Sequence, residues 1–295
     1  MPRKTKTVFR GYFFIVFYGI LDNCEQLWYT KKSRKTPDKA GKGRTKMNME
    51  EYVASLAALC ADDTKLEEFR KGLPLGRDVV DNIVLAQKGE RPFTVRHTCI
   101  TGGNRIHFIR RMLLAISRLY TREEACFLVI SPKTEYGELL RVNGMDVTVP
   151  YISTKADLAA ATHTIKELLA QRETGRGYPR LFLVLDGLER IEGCNLNGDL
   201  VEYREIFDLF SRRSDVDVIT GVDLMKSIFS GYPGAFVGLG NCLVSLREEG
   251  KADVTYVDEN GGLSLPIPIY YPTQPSITET VIFLNSLSTN QPKAE

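Results

Sequence analysis

The chain has no apolar run long enough to cross a bilayer as a helix, no Cys-x-x-Cys, no small-residue cleavage site behind its basic start, and no internal repeat. Each absence removes a class. A spanning helix needs about 20 apolar residues. The aromatic run over residues 12–21 stops well short of that, at Asp22 and Asn23. Arg3, Lys4, Lys6 and Arg10 ahead of it have the charge order of a signal peptide, yet Glu25, Gln26 and Trp28 follow it. A surface-lying anchor is the membrane reading that remains. The six cysteines are far apart, and Cys99, Cys126 and Cys242 sit in or beside apolar runs. They read as buried free thiols of a reducing cytoplasm, against a disulfide framework or zinc site. Of the three histidines, His97 is expected to pack or hydrogen-bond beside a strand end, and His107 and His163 have no metal-ligand partners at suitable spacing.

What is present is enough for a full core: 295 residues, 43% hydrophobic and 26% charged, a length that allows one domain or two. The net charge of +2 hides an asymmetry, because residues 1–46 hold 12 Lys/Arg against 3 Asp/Glu, and the remainder holds 27 against 34. Duplex-binding surfaces neutralise phosphates, so a mildly acidic body argues against a DNA-gripping domain, although a local basic patch stays open. Residues 31–46 have almost no apolar side chain and are expected to be disordered. The expected organisation is a basic extension over 1–46 and one α/β domain over 47–295, with Met47 or Met49 as its natural start.

Along the body, helical and strand-like patterns alternate. A short helix is expected over 49–60, with Glu50 and Glu51 near its start, and a second amphipathic piece passes through Leu66 and Phe69. Pro74 to Gly76 reads as a turn, and 83–86 as a strand. Ala125 to Ile130 is a continuous apolar run, suited to a parallel strand covered on both faces, and Ser131, Pro132 and Lys133 close it. A short helix is expected over 136–141 and an edge strand over 146–150. Thr154 and Asp157 resemble a capping box opening a long helix to about Glu173, with Leu158, Ala161, Ile165, Leu168 and Leu169 inward. Residues 180–186 form a third buried strand, 200–211 a helix, 216–220 a fourth strand, 222–229 a short helix and 242–246 a fifth strand. Residues 251–257 open a hairpin around the turn at 258–262. After Pro266 the Pro-, Ser- and Thr-rich tail is expected to drape over the surface, apart from a helix at 278–287. This alternation implies a doubly wound, mainly parallel sheet with helices on both faces.

The stretch RHTCITGGNRIHFIRRMLLAISRL, residues 96–119, organises the rest. A short apolar run ends in Gly102 and Gly103, and then Ile109, Met112, Leu113 and Ile116 recur on one helix face. Strand, glycine turn and helix are also the frame of G-x-x-x-x-G-K-[ST], in which backbone N–H groups wrap phosphates, Lys reaches the outer ones and a hydroxyl holds magnesium. Here the turn is followed by Arg105 and Ile106. Arg105, Arg110, Arg111 and Arg118 read as a solvated helix face, with an acidic partner or residual phosphate as the alternative.

The ordered pieces resemble the FtsK/SpoIIIE family of RecA-like P-loop translocase ATPases, which includes the EssC-type motors of type VII secretion. The resemblance covers roughly residues 73–269. It rests on Leu75, Gly76, Arg77 and Asp78, on His97 to Gly102, on Met112 to Lys133, where Ser131 stands for the family's Asp, and on Leu181 to Asp186 as the Walker B strand. It implies ATP and magnesium as ligands, and it places Arg105 at the phosphate-reaching Lys, Ile106 at the magnesium hydroxyl, and Gly187 at the Glu that polarises water. Arg can contact phosphate, whereas Ile cannot ligand a metal. The polar sensor after strand four is not evident in Thr220, Gly221 and Val222. The expected remnant of a nucleotide site is therefore Thr101, Gly102, Gly103, Asn104, Arg105 and Asp186, with no catalytic residue and no metal ligand. Gly102 and Gly103 serve equally as a tight turn, Asp186 as a strand end or cap, and Glu189 as a solvated or paired carboxylate. The resemblance implies a degenerate ATPase domain acting as a docking or regulatory module, with active motor subunits or secretion components as protein partners and oligomerisation possible. An active ATP-driven DNA translocase and a membrane-associated accessory protein are the rival expectations.

Overall fold

The structure, a computed structural model, describes residues 63–86, 96–141, 147–150, 152–174, 177–191, 213, 215–222, 241–248, 250–257 and 263–272. The basic extension and the helices expected over 49–60, 200–211 and 278–287 lie outside these residues. The elements in chain order are α1 (Asp63–Gly72), β1 (Pro74–Arg77), β2 (Ile83–Leu85), β3 (Arg96–Thr101), α2 (Arg105–Leu119), β4 (Ala125–Ile130), a 3-10 turn (Thr134–Arg141), β5 (Val147–Thr148), α3 (Lys155–Thr174), β6 (Arg180–Asp186), β7 (Val216–Val222), β8 (Cys242–Leu246), β9 (Lys251–Tyr256) and β10 (Ile267–Tyr270).

All ten strands join one sheet in the order β2-β1-β10-β9-β8-β3-β7-β6-β4-β5. From β8 to β5 every neighbour is parallel, and from β8 outward to β2 every neighbour is antiparallel. The parallel half needs cover on both faces, because its crossovers lay helices there. The two-residue period of β6 shows how this is met: Phe182 and Val184 join the cluster around α2, while Leu181, Leu183 and Leu185 join the one around α3. The expected doubly wound, mainly parallel sheet is present.

The start of α3 is fixed by the expected capping box, with Asp in the usual Glu position. The Asp157 carboxylate accepts from the Thr154 and Ser153 amides at 2.8 and 3.0 Å, and the Asp157 amide donates to Thr154 Oγ1 at 3.2 Å.

Four expectations need correction. Pro74 to Gly76 is a strand: Leu75 is fully buried, and a Cβ on Gly76 would stand 2.6 Å from the Tyr270 carbonyl, so glycine there permits close pairing with β10. The chain after Pro266 does not drape over the surface at first, since β10 pairs with β9 and buries Ile269. Pro268 hid this strand; it falls at an exposed position of β10. Val222, expected to open a helix, is the last residue of β7, and residues 223–229 lie outside the described residues.

The fourth concerns the arginines of α2. Arg105, Arg110 and Arg111 are buried, and only Arg118 keeps partial exposure. The antiparallel extension covers Arg111, whereas Arg105 is buried against Asp186 at the parallel half. The Arg111 guanidinium stacks 4.4 Å from the Phe108 ring centre and 4.9 Å from that of Tyr271, and donates to the Leu75 carbonyl at 2.7 Å. Arg111 thereby ties α2 to β1 and to the end of β10, through a planar cation that stacks and hydrogen-bonds at once.

Candidate functional site

The carboxyl ends of the parallel strands meet the amino end of α2, the place where open α/β sheets bind ligands. Period two alone puts Asp186 there: it lies on the same face of β6 as Phe182 and Val184, and therefore faces α2. Asp186 is fully buried. Arg105 Nε donates to its Oδ1 at 2.6 Å, Tyr136 Oη to its Oδ2 at 3.0 Å, and Lys133 Nζ lies 3.2 Å from the same Oδ2. The donors come from three separate pieces of chain: the first residue of α2, the segment after β4 and the 3-10 turn.

The neighbouring backbone is shaped for this arrangement. Gly221 pairs with Asp186 across β7 and β6, and a Cβ at Gly221 would come within 2.2 Å of Asp186 Oδ1. Any other residue would push the carboxylate out of its seat. Gly187 has φ +73°, a left-handed conformation that glycine adopts at no steric cost. A Cβ there would sit 3.5 Å from both Arg105 Nη2 and the Lys133 side chain. Burial, with the adjacent Asp186 charge and hydrogen bond as further causes, drives the Tyr136 hydroxyl pKa well above its ordinary value, so it stays a donor.

Of the expected remnant, the structure brings Arg105 and Asp186 together. Thr101, the buried last residue of β3, leads into the turn formed by Gly102, Gly103 and Asn104, which is exposed. Gly102 has φ +104°, and a Cβ on it would lie 2.7 Å from the Leu246 carbonyl. Asn104 is left-handed at φ 58° and caps α2 with its carbonyl, which accepts from the His107 amide at 3.0 Å, while its side chain makes no cap. Asp186 ends its strand and makes no cap for the turn after it, which begins at Gly187. The Glu189 side chain lies outside the description.

Lys133 and Tyr136 are not among the site residues the sequence points to. For Lys133 a signal existed: Ser131-Pro132-Lys133 closes a parallel strand at the same end as Asp186, and the Lys133 amide donates to Ser131 Oγ at 3.2 Å. Tyr136 carried no such signal.

Nearer the start of β3, His97 Nε2 lies 2.8 Å from Thr220 Oγ1, and its amide donates to Asn241 Oδ1 at 3.0 Å. The expected strand-end role of His97 holds. Thr220, placed where a sensor was sought, is a buried residue of β7 spent on this bond and on Cys99, whose thiol burial raises to about 11. Cys99, Cys126 and Cys242 are free thiols. The described residues contain no cluster of three or more His, Cys, Asp or Glu side chains placed to hold a metal ion. His163 instead lies 3.2 Å from Glu167 on the exposed face of α3. No helix among the described residues is long and apolar enough to cross a membrane.

The sheet has the fold of P-loop ATPase domains, and for the family that the sequence resembles the implied ligands are magnesium and a nucleoside triphosphate. The arrangement around Asp186 does not fit magnesium, which needs oxygen acceptors, because the carboxylate is met by N–H and O–H donors and Ile106 offers hydrocarbon. No protein-family model matches the chain, and no curated protein does. Its fold resembles that of solved structures. The cytoplasmic domain of the Thermomonospora curvata type VII secretion ATPase EccC aligns at TM-score 0.56 and 12% identity, over 85% of this chain and 35% of that one. EssC (ATPases 2 and 3) from Geobacillus thermodenitrificans aligns at 0.52 and 15%, over 78% and 45%. The cytoplasmic domain of EssC aligns at 0.50 and 14%, over 84% and 51%. The chain thus spans about a third to a half of these structures' lengths.

Proposed function

We propose that this protein is a non-hydrolysing relative of the FtsK/SpoIIIE-like ATPases, acting as a docking or regulatory module of a type VII secretion-like machine. The observation that carries the reading is the buried pair of Arg105 and Asp186 at 2.6 Å. The cation that the resemblance assigns to phosphate is bound to the carboxylate that it assigns to magnesium. Ile106 supplies no hydroxyl, and position 187, where the resemblance expects a water-polarising Glu, is a left-handed glycine. Three separate requirements of metal-assisted phosphoryl transfer, namely the phosphate cation, the metal ligands and the water-orienting carboxylate, are each answered by a different chemistry here. Thr101, Gly102, Gly103, Asn104, Arg105 and Asp186 are, in this reading, the remnant of a nucleotide site.

The secretion context is supported by the likeness to the cytoplasmic domain of EccC, described as a type VII secretion ATPase, and the ATPase context also by the likeness to EssC (ATPases 2 and 3). A chain with this fold can stack on motor domains of the same shape without turning over fuel. A cytoplasmic setting and protein partners follow from the same reading, and DNA is the less favoured partner. The test is phosphate release by the full chain in ATP and magnesium, beside sedimentation of the chain with the cytoplasmic part of an EccC- or EssC-type ATPase. The expected result is release at the buffer rate and a joint sedimenting species. Saturable ATP hydrolysis abolished by Asp186→Asn would overturn the reading.

A further inference from the structure

Arg105 stands at an unfavourable place for a cation. It is the first residue of α2, whose amino end carries the positive pole of the helix dipole, and no acidic residue lies in the first turn. Lys133 adds a second cation at the same spot. Two cations and a helix amino end converge on one carboxylate, which comes from another element and reaches its seat because position 221 has no side chain. The adjacent turn at Gly102, Gly103 and Asn104 is open to solvent. Among the described residues, Arg105 and Lys133 bring two positive charges to this locus, and Asp186 is the carboxylate that both of them meet.

We infer that Asp186 is a built-in counter-anion, a plug that holds Arg105 and Lys133 away from phosphoryl anions arriving at the glycine turn, and that removing its charge turns this locus into a metal-independent polyphosphate site. The inference rests on the reading that Asp186 serves the two cations and not magnesium. A polyphosphate would then replace the carboxylate as the partner of Arg105 and Lys133, with charge-assisted hydrogen bonds of the same kind. No metal is required, since the protein supplies the positive charge. Tyr136, a donor to Asp186 alone in this cluster, acts as a positioning residue that keeps the plug seated.

The experiment uses the full chain, inorganic triphosphate as probe and EDTA throughout, read by calorimetric titration and by melting temperature. Wild type is expected to bind weakly or not at all. Asp186→Asn is expected to melt lower without the probe, to regain melting temperature with it, and to bind at least about tenfold tighter than wild type, with affinity falling as salt rises. Adding Arg105→Gln to Asp186→Asn is expected to abolish that gain. Should Asp186→Asn fail to fold, Tyr136→Phe decides: it keeps every charge, loosens the plug, and is expected to bind triphosphate more tightly than wild type. The inference is overturned if folded Asp186→Asn binds no tighter than wild type, if the gain survives loss of Arg105, or if Asp186→Asn does not fold and Tyr136→Phe shows no gain. Any of these results beside a wild type inert to ATP and magnesium ends the plug and leaves the proposed function standing. ATP hydrolysis by the wild type ends the proposed function instead.

Discussion

A buried aspartate sits near each end of the parallel half of the sheet, and the two are treated differently. At the carboxyl end, Asp186 receives Arg105, Lys133 and Tyr136. At the amino end, Asp217 faces Arg180, itself partly exposed, with Asp215 close enough to add repulsion. Burial outweighs Arg180 there and raises the Asp217 carboxyl to about 6. Asp215, half in solvent, is shared by Arg172 and Arg213 and is held below its ordinary value. Burial of an acid is therefore not enough to mark a site; the number and origin of its donors do. Asp186 has its donors from three elements that meet only in the folded chain, which is what makes it a candidate site and Asp217 a structural acid.

The largest expected effect tests the carboxyl end. Arg105→Ala leaves Asp186 with two of its three donors and should cost about 3–5 kcal/mol in urea denaturation, the range for breaking a buried ion pair. Replacing the whole cluster, as Arg105→Met, Asp186→Leu, Lys133→Met and Tyr136→Phe, should recover part of the loss, because no donor is then left facing a missing acceptor. An unchanged stability in Arg105→Ala would erase the contrast between the two ends.

Next comes the amino end, where the sign is opposite to the usual aspartate. Asp217 is raised in the folded chain, so the folded state holds the proton between pH 3.8 and about 6. The stability this provides is complete below pH 3.8 and is lost as pH rises through about 6. The folded and unfolded values lie about two pH units apart, so Asp217→Asn should gain on wild type by roughly 3 kcal/mol between about pH 3.5 and about pH 7.5. Denaturation of both proteins across that range checks it; a gap that stays constant with pH would contradict a burial cost that outweighs the Arg180 pairing.

Tyr136→Phe should lower stability by about 2 kcal/mol, the scale of one hydrogen bond to a charged acceptor. The smallest effect concerns a third acid. Asp157 is partly exposed and depends on the Ser153 and Thr154 amides, which lower its pKa to about 2. Its contribution is present above its unfolded value near 3.8 and is lost as pH falls through about 2. Asp157→Ala should therefore lower the melting temperature slightly at pH 7 and not at all at pH 1.5, with helix content as the check on the cause.

The two halves of the sheet were unequally legible. In the parallel half, β4 and β6 are continuous apolar strings and α2 repeats at helix period, so strand, turn and helix follow from pattern alone. In the antiparallel extension, Pro74, Gly76 and Pro268 carry turn and loop signals inside strands, and only the partner strand reveals why they are tolerated. At the site, Arg105 and Asp186 were each visible, but they lie 81 residues apart, and a sequence does not show which side chains meet. Burial of Arg110 and Arg111 was invisible for a related reason. An arginine on a helix reads as solvated unless one knows what packs over it.

The central claim is that the protein's own carboxylate, and not fuel with its metal, is the partner of Arg105. The most direct measurement is the melting temperature of the wild-type full chain across a titration with ATP and magnesium. A ligand that binds the folded state must raise that temperature by mass action. The account predicts a flat titration, whereas a saturable rise that requires magnesium would contradict it.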